Sequence, residues 1–283
     1  MTETLGHVDA GSLERSCRPR RDSIRLGAGA DGMQPMQAYF SAGGFEPHRH
    51  DTYGIGITVA GVQAFRYCGE KRVCLPGQLH ILHPDEVHDG GAATSAGFGY
   101  RIVYVRPELI HDALGGRTLP FVADPVHDQT PASRHVAAIL DDIDLPISDL
   151  ARSDAAAYLA DLLSRLSGAR DRGPVLIDKA AIAAVRDYLD AHAGEQTTSR
   201  TLEQVAGIDR FTIARQFRRA YGTSPDRYRT MRRLDSARAA IAAGTPLAQA
   251  AAEAGYADQS HLTRQFKRAY GLTPARFAKA LVH

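Results

Sequence analysis

Apolar residues change their spacing along the chain, and the changes divide it. From Met33 to Val105 they come in short stretches broken by Gly, Pro, Asp and His: MQAYF, YGIGITV, QAFRYC, KRVCL, QLHIL and FGYRIVYV. Short runs bounded by turn residues predict antiparallel strands forming a small barrel or sandwich. Gly69-Glu70 is expected to close a hairpin, and Pro76-Gly77 to make another turn. Residues 1–32 are polar, rich in Arg and Gly and without period, which predicts a loose tail.

From Pro131 the period becomes helical, with one helix over Ala132–Asp141 and a second over Leu150–Leu166. Ala151, Ala155, Tyr158, Leu159, Leu162, Leu163 and Leu166 form an apolar stripe on the second. That stripe has two uses open to it, packing on its own barrel or pairing with a second copy, so residues 131–166 are the expected surface of a homodimer. Gly168–Pro174 (GARDRGP) has linker composition and sets the domain boundary near residue 170. Beyond it the pattern is helical between punctuation marks: a helix from Leu176 to His192, a short one ended by Gly207, one capped by Asp209 and stopped at Gly222, and a long one from Ser224-Pro225 to Ala243. A helix to Ala254, another capped by Asp258, and a last one after Thr273-Pro274 complete the order.

This helical third repeats itself. Ile213–Tyr228 (IARQFRRAYGTSPDRY) and Leu262–Phe277 (LTRQFKRAYGLTPARF) agree at nine of sixteen positions at an offset of 49. The agreements include Arg215/Arg264, Phe217/Phe266, Tyr221/Tyr270, Gly222/Gly271, Pro225/Pro274 and Arg227/Arg276. Two copies of a unit this size predict one supersecondary element used twice, a pair of reading heads rather than a solenoid. The tyrosines and prolines are expected to be structural, the prolines at helix N1.

Charge sharpens the division. Residues 171–283 carry 18 Lys/Arg against 11 Asp/Glu, a net +7, while residues 1–170 carry 16 against 21, a net −5. A basic module beside an acidic one is what a polyanion partner requires. Three cysteines, Cys17, Cys68 and Cys74, form no CxxC pair and predict neither a disulfide framework nor a zinc ribbon. They fit a reducing cytoplasm, and no apolar run approaches the roughly 20 residues needed to span a bilayer. Neither membrane anchoring nor export is expected.

Helix, Gly-containing turn, helix is the helix-turn-helix order, in which the second helix offers its amino-terminal half to the major groove. The candidates in the first copy are Arg210, Thr212, Ala214, Arg215 and Arg218, with Ile213 and Phe217 as inward anchors. In the second they are Gln259, Ser260, His261, Thr263, Arg264 and Lys267, with Leu262 and Phe266 facing in. Arg pairs with guanine O6 and N7, and Gln with adenine N6 and N7. Nine Arg against two acids over residues 210–238 suit phosphate contacts, and Arg229, Arg232, Arg233 and Arg238 are candidates for them.

The segment Leu247–Phe277 (LAQAAAEAGYADQSHLTRQFKRAYGLTPARF) closely resembles the signature helix-turn-helix of the AraC/XylS family of bacterial transcription regulators, and the first copy resembles the partner motif. The likeness covers roughly residues 176–283. It implies a seven-helix domain whose two reading helices enter successive major-groove segments of double-stranded DNA. Ile213 follows Leu202 by eleven positions in the first copy where Leu262 follows Leu247 by fifteen in the second, which predicts a first positioning helix about one turn short.

Phe45–Gly61 and Leu75–His88 are similar to the cupin-like sensor domain that precedes the DNA-binding domain in many such regulators. The resemblance therefore implies an α+β multidomain chain: a cupin-like antiparallel β-barrel with two appended helices over residues 33–170, then an all-α domain over 171–283. It places His48, Arg49, His50, Tyr53 and His88 in a pocket for a small-molecule effector. Cupin enzymes bind metal through His-x-His and a later His, but the carboxylate that follows in them is replaced by Tyr53, Gly54 and Ile55. An effector pocket without metal or cofactor is therefore expected, the alternative being a metal-dependent cupin enzyme fused to a DNA-binding domain. His80 and His83 share a strand on opposite faces and are read as structural.

Overall fold

The computed structural model describes residues 22–168 and 177–282. Cys17, most of the expected tail and nearly all of the expected linker lie outside them. The tail is nonetheless shorter than expected. Ser23–Leu26 form β1, which pairs with β2 (Met33–Phe40) and buries Ile24. A four-residue strand among Arg and Gly is too short to show a period.

Eight further strands follow: β3 (Gly44–His48), β4 (Tyr53–Gly61), β5 (Gln63–Tyr67), β6 (Glu70–Cys74), β7 (Leu79–Leu82), β8 (His88–Ala92), β9 (Phe98–Val105) and the two-residue β10 (Val126–His127). They form a six-stranded sheet, β1-β2-β9-β4-β7-β10, and a four-stranded one, β3-β8-β5-β6, with antiparallel ladders throughout. No ladder joins the two among the described residues, so the expected barrel is realised as two open sheets in the manner of a jelly roll. The β5–β6 hairpin turns one residue earlier than expected, on Cys68-Gly69, both with positive φ (49° and 81°).

Alternation along the central strands sorts side chains onto two faces. Tyr53, Ile55 and Ile57 of β4 and Val103 and Val105 of β9 face a core shared with three helices. These are α1 (Pro107–Ala113), which the pattern did not announce, α2 (Pro131–Ile139) and α3 (Asp149–Leu166). The α3 stripe of Ala155, Leu159, Leu162 and Leu163 is buried in this core. Its apolar face is thus used within its own domain, and the homodimer expected through residues 131–166 finds no free apolar stripe there.

Among the described residues the helical domain holds seven helices: α4 (Lys179–Ala191), α5 (Ser199–Ala206), α6 (Arg210–Tyr221), α7 (Pro225–Ala242), α8 (Leu247–Glu253), α9 (Gln259–Tyr270) and α10 (Pro274–Ala280). Side chains of Thr198, Asp209, Ser224, Asp258 and Thr273 accept hydrogen bonds from first-turn N–H groups of α5, α6, α7, α9 and α10. Gly222 and Gly271 end α6 and α9 with φ of 71° and 68°, conformations that disfavour a β-carbon.

The first positioning helix is not short. α5 has eight residues and α8 seven, because α5 begins at Ser199, three residues before the Leu202 used to measure it. The shorter turn, residues 207–209 against 254–258, accounts for two of the four residues, and the other two arise because Leu202 is the fourth of eight residues in its helix and Leu247 the first of seven. The two copies differ instead in their cores. α4, α5, α6 and the start of α7 close on Ile213, Phe217, Tyr221 and Tyr228. The second copy, built on Leu262 and Phe266, is continuous with Phe40, Phe98, Tyr100 and Ile102 of the six-stranded sheet.

Candidate effector pocket and nucleic-acid interface

The even-numbered residues of β9 and β7 point away from the α1–α3 core and line a cavity between the sheets and the helical domain. His48, His80, His88, Tyr100 and Tyr104 come from the sheets and His50 from the loop between β3 and β4; Met231, Asp235 and Arg238 of α7, Tyr270 of α9 and Phe277 of α10 close it. Gly54 and Gly56 keep the floor low: a β-carbon at Gly56 would lie 2.5 Å from His80 Nε2.

Three histidines share one arrangement. The Nδ1 atoms of His48, His50 and His88 face the carbonyls of Glu46, Thr52 and Glu86 at 2.7, 2.8 and 3.0 Å. A carbonyl only accepts, so each Nδ1 carries the proton and each Nε2 is left as an acceptor. The rings stand edge to face, His88 at 4.3 Å from His48 and 4.8 Å from His50 between centroids. Burial pushes His48 down to about 3 and His50 well below its usual value, with His88 nearby adding to both falls. Burial brings His88 down to about 4, and burial with His88 nearby does the same to His80. At neutral pH the cluster is uncharged.

Of the five residues expected in the pocket, the three histidines line it and two do not. Tyr53 points the other way, its hydroxyl donating to the Pro120 carbonyl at 3.1 Å, because it falls on the odd-numbered face of β4. Arg49 lies between two histidines that turn inward, so its side chain turns out, 3.7 Å from Asp85. His80, read as structural, does line the cavity, whereas His83 faces the other side and accepts from Val122 N–H. Alternation against buried Ile81 was the signal for His80. No group of three or more His, Cys, Asp or Glu among the described residues is arranged to hold a metal ion.

The cavity sits in an extensive junction between domains. Arg232 of α7 reaches Asp51 at 2.6 Å and Asp235 at 3.1 Å. Arg227 donates to the Arg49 carbonyl and pairs with Asp85 at 3.4 Å. Its repeat equivalent, Arg276, donates to the Gly44 carbonyl and pairs with Asp22 at 3.1 Å. The matched glycines face the same way: a β-carbon at Gly222 would meet Pro84, and one at Gly271 would fall 2.7 Å from His48 Nδ1. The matches that the repeat displays thus serve docking as well as folding.

Among the expected reading residues, Ala214, Arg215, Arg218, Gln259, Ser260 and Arg264 are exposed, on α6 and α9. Thr212 accepts from Arg215 at 2.9 Å, and Thr263 donates to the Gln259 carbonyl. Arg210 is held by Glu203, His261 stands edge-on to Tyr256, and Lys267 pairs with Glu46 of the other domain at 2.7 Å. The four candidates for phosphate are engaged elsewhere. Arg232 and Arg238 pack on Tyr228 and Tyr270, Arg229 bonds the Glu195 carbonyl, and Arg233 bonds the carbonyls of Ala254 and Gly255 at the end of α8. Sequence reasoning missed this because Arg suits buried pairing as well as it suits phosphate.

Two family models match the chain, the AraC-like ligand binding domain over residues 34–167 and a helix-turn-helix domain over 202–280. The chain belongs to the AraC family of transcription regulators. It is an AraC-type regulator with a ligand-binding amino-terminal domain and a helix-turn-helix DNA-binding domain. The HTH-type transcriptional regulator YbfI of Bacillus subtilis (strain 168) is 26% identical over 227 residues, covering 77% of this chain and 81% of that protein. ToxT from Vibrio cholerae shares the fold, with a TM-score of 0.64 at 10% identity over 89% of this chain and 100% of its own. ToxT bound to an unsaturated fatty acid aligns at a TM-score of 0.63 with 11% identity, over 93% of this chain and 98% of that one. No helix among the described residues of this AraC-family chain is long and apolar enough to cross a membrane.

Proposed function

We propose that this regulator, itself not an enzyme, couples a small-molecule effector in the interdomain cavity to the grip of its two helix-turn-helix units on DNA. The supporting observation is that one cavity is walled by both domains. His48, His50 and His88 come from the ligand-binding side, and Asp235, Arg238 and Tyr270 from the DNA-binding side. A ligand filling it touches the helices that carry the reading heads, so any difference in its contacts between docked and undocked domains shifts DNA affinity. That ToxT is found bound to a fatty acid within the same fold agrees with a ligand-responsive chain.

Base reading is assigned to Gln259, Ser260, Thr263 and Arg264 of α9 and to Thr212, Ala214 and Arg215 of α6, with Arg218 on phosphate. A homodimer would use the outward side of α3, where Asp154, Asp161 and Arg165 are exposed. Footprinting on the DNA upstream of the protein's own gene, at rising salt, tests the DNA assignment. Arg264→Ala is expected to weaken binding five- to 150-fold, the equivalent of about 1–3 kcal/mol, and to relax preference at one base pair. Equal loss on every sequence would refute the reading role.

A further inference from the structure

The cavity says what kind of head group it takes. His50 is 4% exposed, and its Nε2 is a buried acceptor with no hydrogen-bond partner. An unpaired buried acceptor is destabilising unless something donates to it. His48 and His88 present the same atom, because their Nδ1 protons are also committed to backbone carbonyls. Three imidazoles whose Nε2 can only accept therefore line one cavity, whose wall includes Ile102, Met231 and Phe277.

Charge points the same way. Arg232 and Arg238, the cations nearest the space, are already balanced by Asp51 and Asp235. A carboxylate entering the cavity would meet acceptor imidazoles and no spare cation.

We propose that the cavity binds a small molecule with an apolar body and a hydrogen-bond-donating head, a hydroxyl or an amine, and discriminates against carboxylates. This rests on the reading of the cavity as the effector site. It differs from the fatty acid found with ToxT, and it rests on the three backbone-locked imidazoles of this chain.

Three probes sharing one apolar body separate the possibilities: 2-naphthol, 2-(aminomethyl)naphthalene and 2-naphthoate, titrated into the full-length protein at pH 7.5 with calorimetry and thermal shift as readouts. The naphthol or the amine is expected to bind at least tenfold more tightly than the naphthoate, and which of them leads tells hydroxyl from amine. His50→Phe and His88→Phe, which keep an apolar ring and remove the acceptor, should abolish that preference. Should either variant fail to fold, imidazole ¹⁵N spectra of the wild type serve instead, since the Nε2 resonances must move when the preferred probe binds. Naphthoate binding as tightly as the others would overturn the donor class and leave the effector site standing. A stoichiometric divalent metal in the purified protein, lost in His88→Phe, would also overturn it. Failure of all three probes to bind would remove both the donor class and the effector reading.

Discussion

Arg232 Nη2 lies 2.6 Å from Asp51 Oδ2, joining the long helix of the DNA-binding domain to a loop of the ligand-binding domain, and the Asp51 side chain is only 4% exposed. A charge pair so far out of water is costly to break from one side and cheap to replace from both. Asp51→Ala or Arg232→Ala is expected to destabilise the chain by about 3–5 kcal/mol, because each leaves its partner buried and unpaired. The double change Asp51→Ala with Arg232→Ala should cost less than the sum of the two single changes. Urea unfolding of the four proteins in a double-mutant cycle measures the difference, and equal, additive losses would contradict a direct pairing.

Gly271 and Gly207 both end helices in the left-handed region, with φ of 68° and 67°, but only Gly271 is pressed against the other domain. Gly207→Ala should cost about 1–2 kcal/mol for conformation alone. Gly271→Ala adds a β-carbon 2.8 Å from the Glu46 carbonyl, so its melting temperature should fall further. Equal falls for the two variants would show that the contact at Gly271 is slack.

The buried histidines set a pH dependence. His48, His80, His83 and His88 are held at about 3 to 4, below the 6.5 of an unfolded chain, chiefly by burial. Below pH 6.5 the unfolded state takes up protons that the folded state refuses. Stability is therefore complete above that pH and lost as pH falls toward 4, at up to about 1.4 kcal/mol per pH unit for each imidazole. Asp51 acts in the opposite sense: burial lifts it to about 6, so its contribution is lost as pH rises from about 4 to 6. Four groups outweigh one, and the urea midpoint should drop between pH 7 and pH 5. A midpoint that rises over this range would refute the account.

Glu46 holds Lys267, a side chain on the reading helix α9. Glu46→Ala should free it for phosphate, raising DNA affinity and steepening the salt dependence of binding by about one unit in the log–log slope. Arg233→Ala, by contrast, removes the cap on the α8 carbonyls and should lower thermal stability while leaving the salt slope unchanged. Both are read by fluorescence anisotropy on one operator at several salt concentrations. An unchanged slope for Glu46→Ala would show that Lys267 gains no phosphate.

The doubled helical stretch was legible in the sequence because caps and stops are local chemistry: Asp209, Asp258, Gly222 and Gly271 act where they stand. The strands were legible through alternation, and alternation would also have placed His80 in the cavity and Tyr53 outside it. What the sequence hid was partnership. Arg232 and Arg238 look like any other Arg of a basic helix until Asp51 and Tyr270 are brought against them from elsewhere in the chain. Asp51 and Asp235 gain their places on the cavity from that same docking, and so carried no mark of their own, whereas Tyr100 and Tyr104 follow from alternation along β9.

Arg227 and Arg276 hold equivalent places in the two repeats, and both fasten to the ligand-binding domain. That domain therefore acts as a caliper on the reading heads, setting the span and angle at which they present to a duplex. Consecutive major-groove segments lie about 34–36 Å apart along the axis. Loosening either clasp is then expected to widen the range of operator spacings that is bound, through a part of the molecule that reads no base.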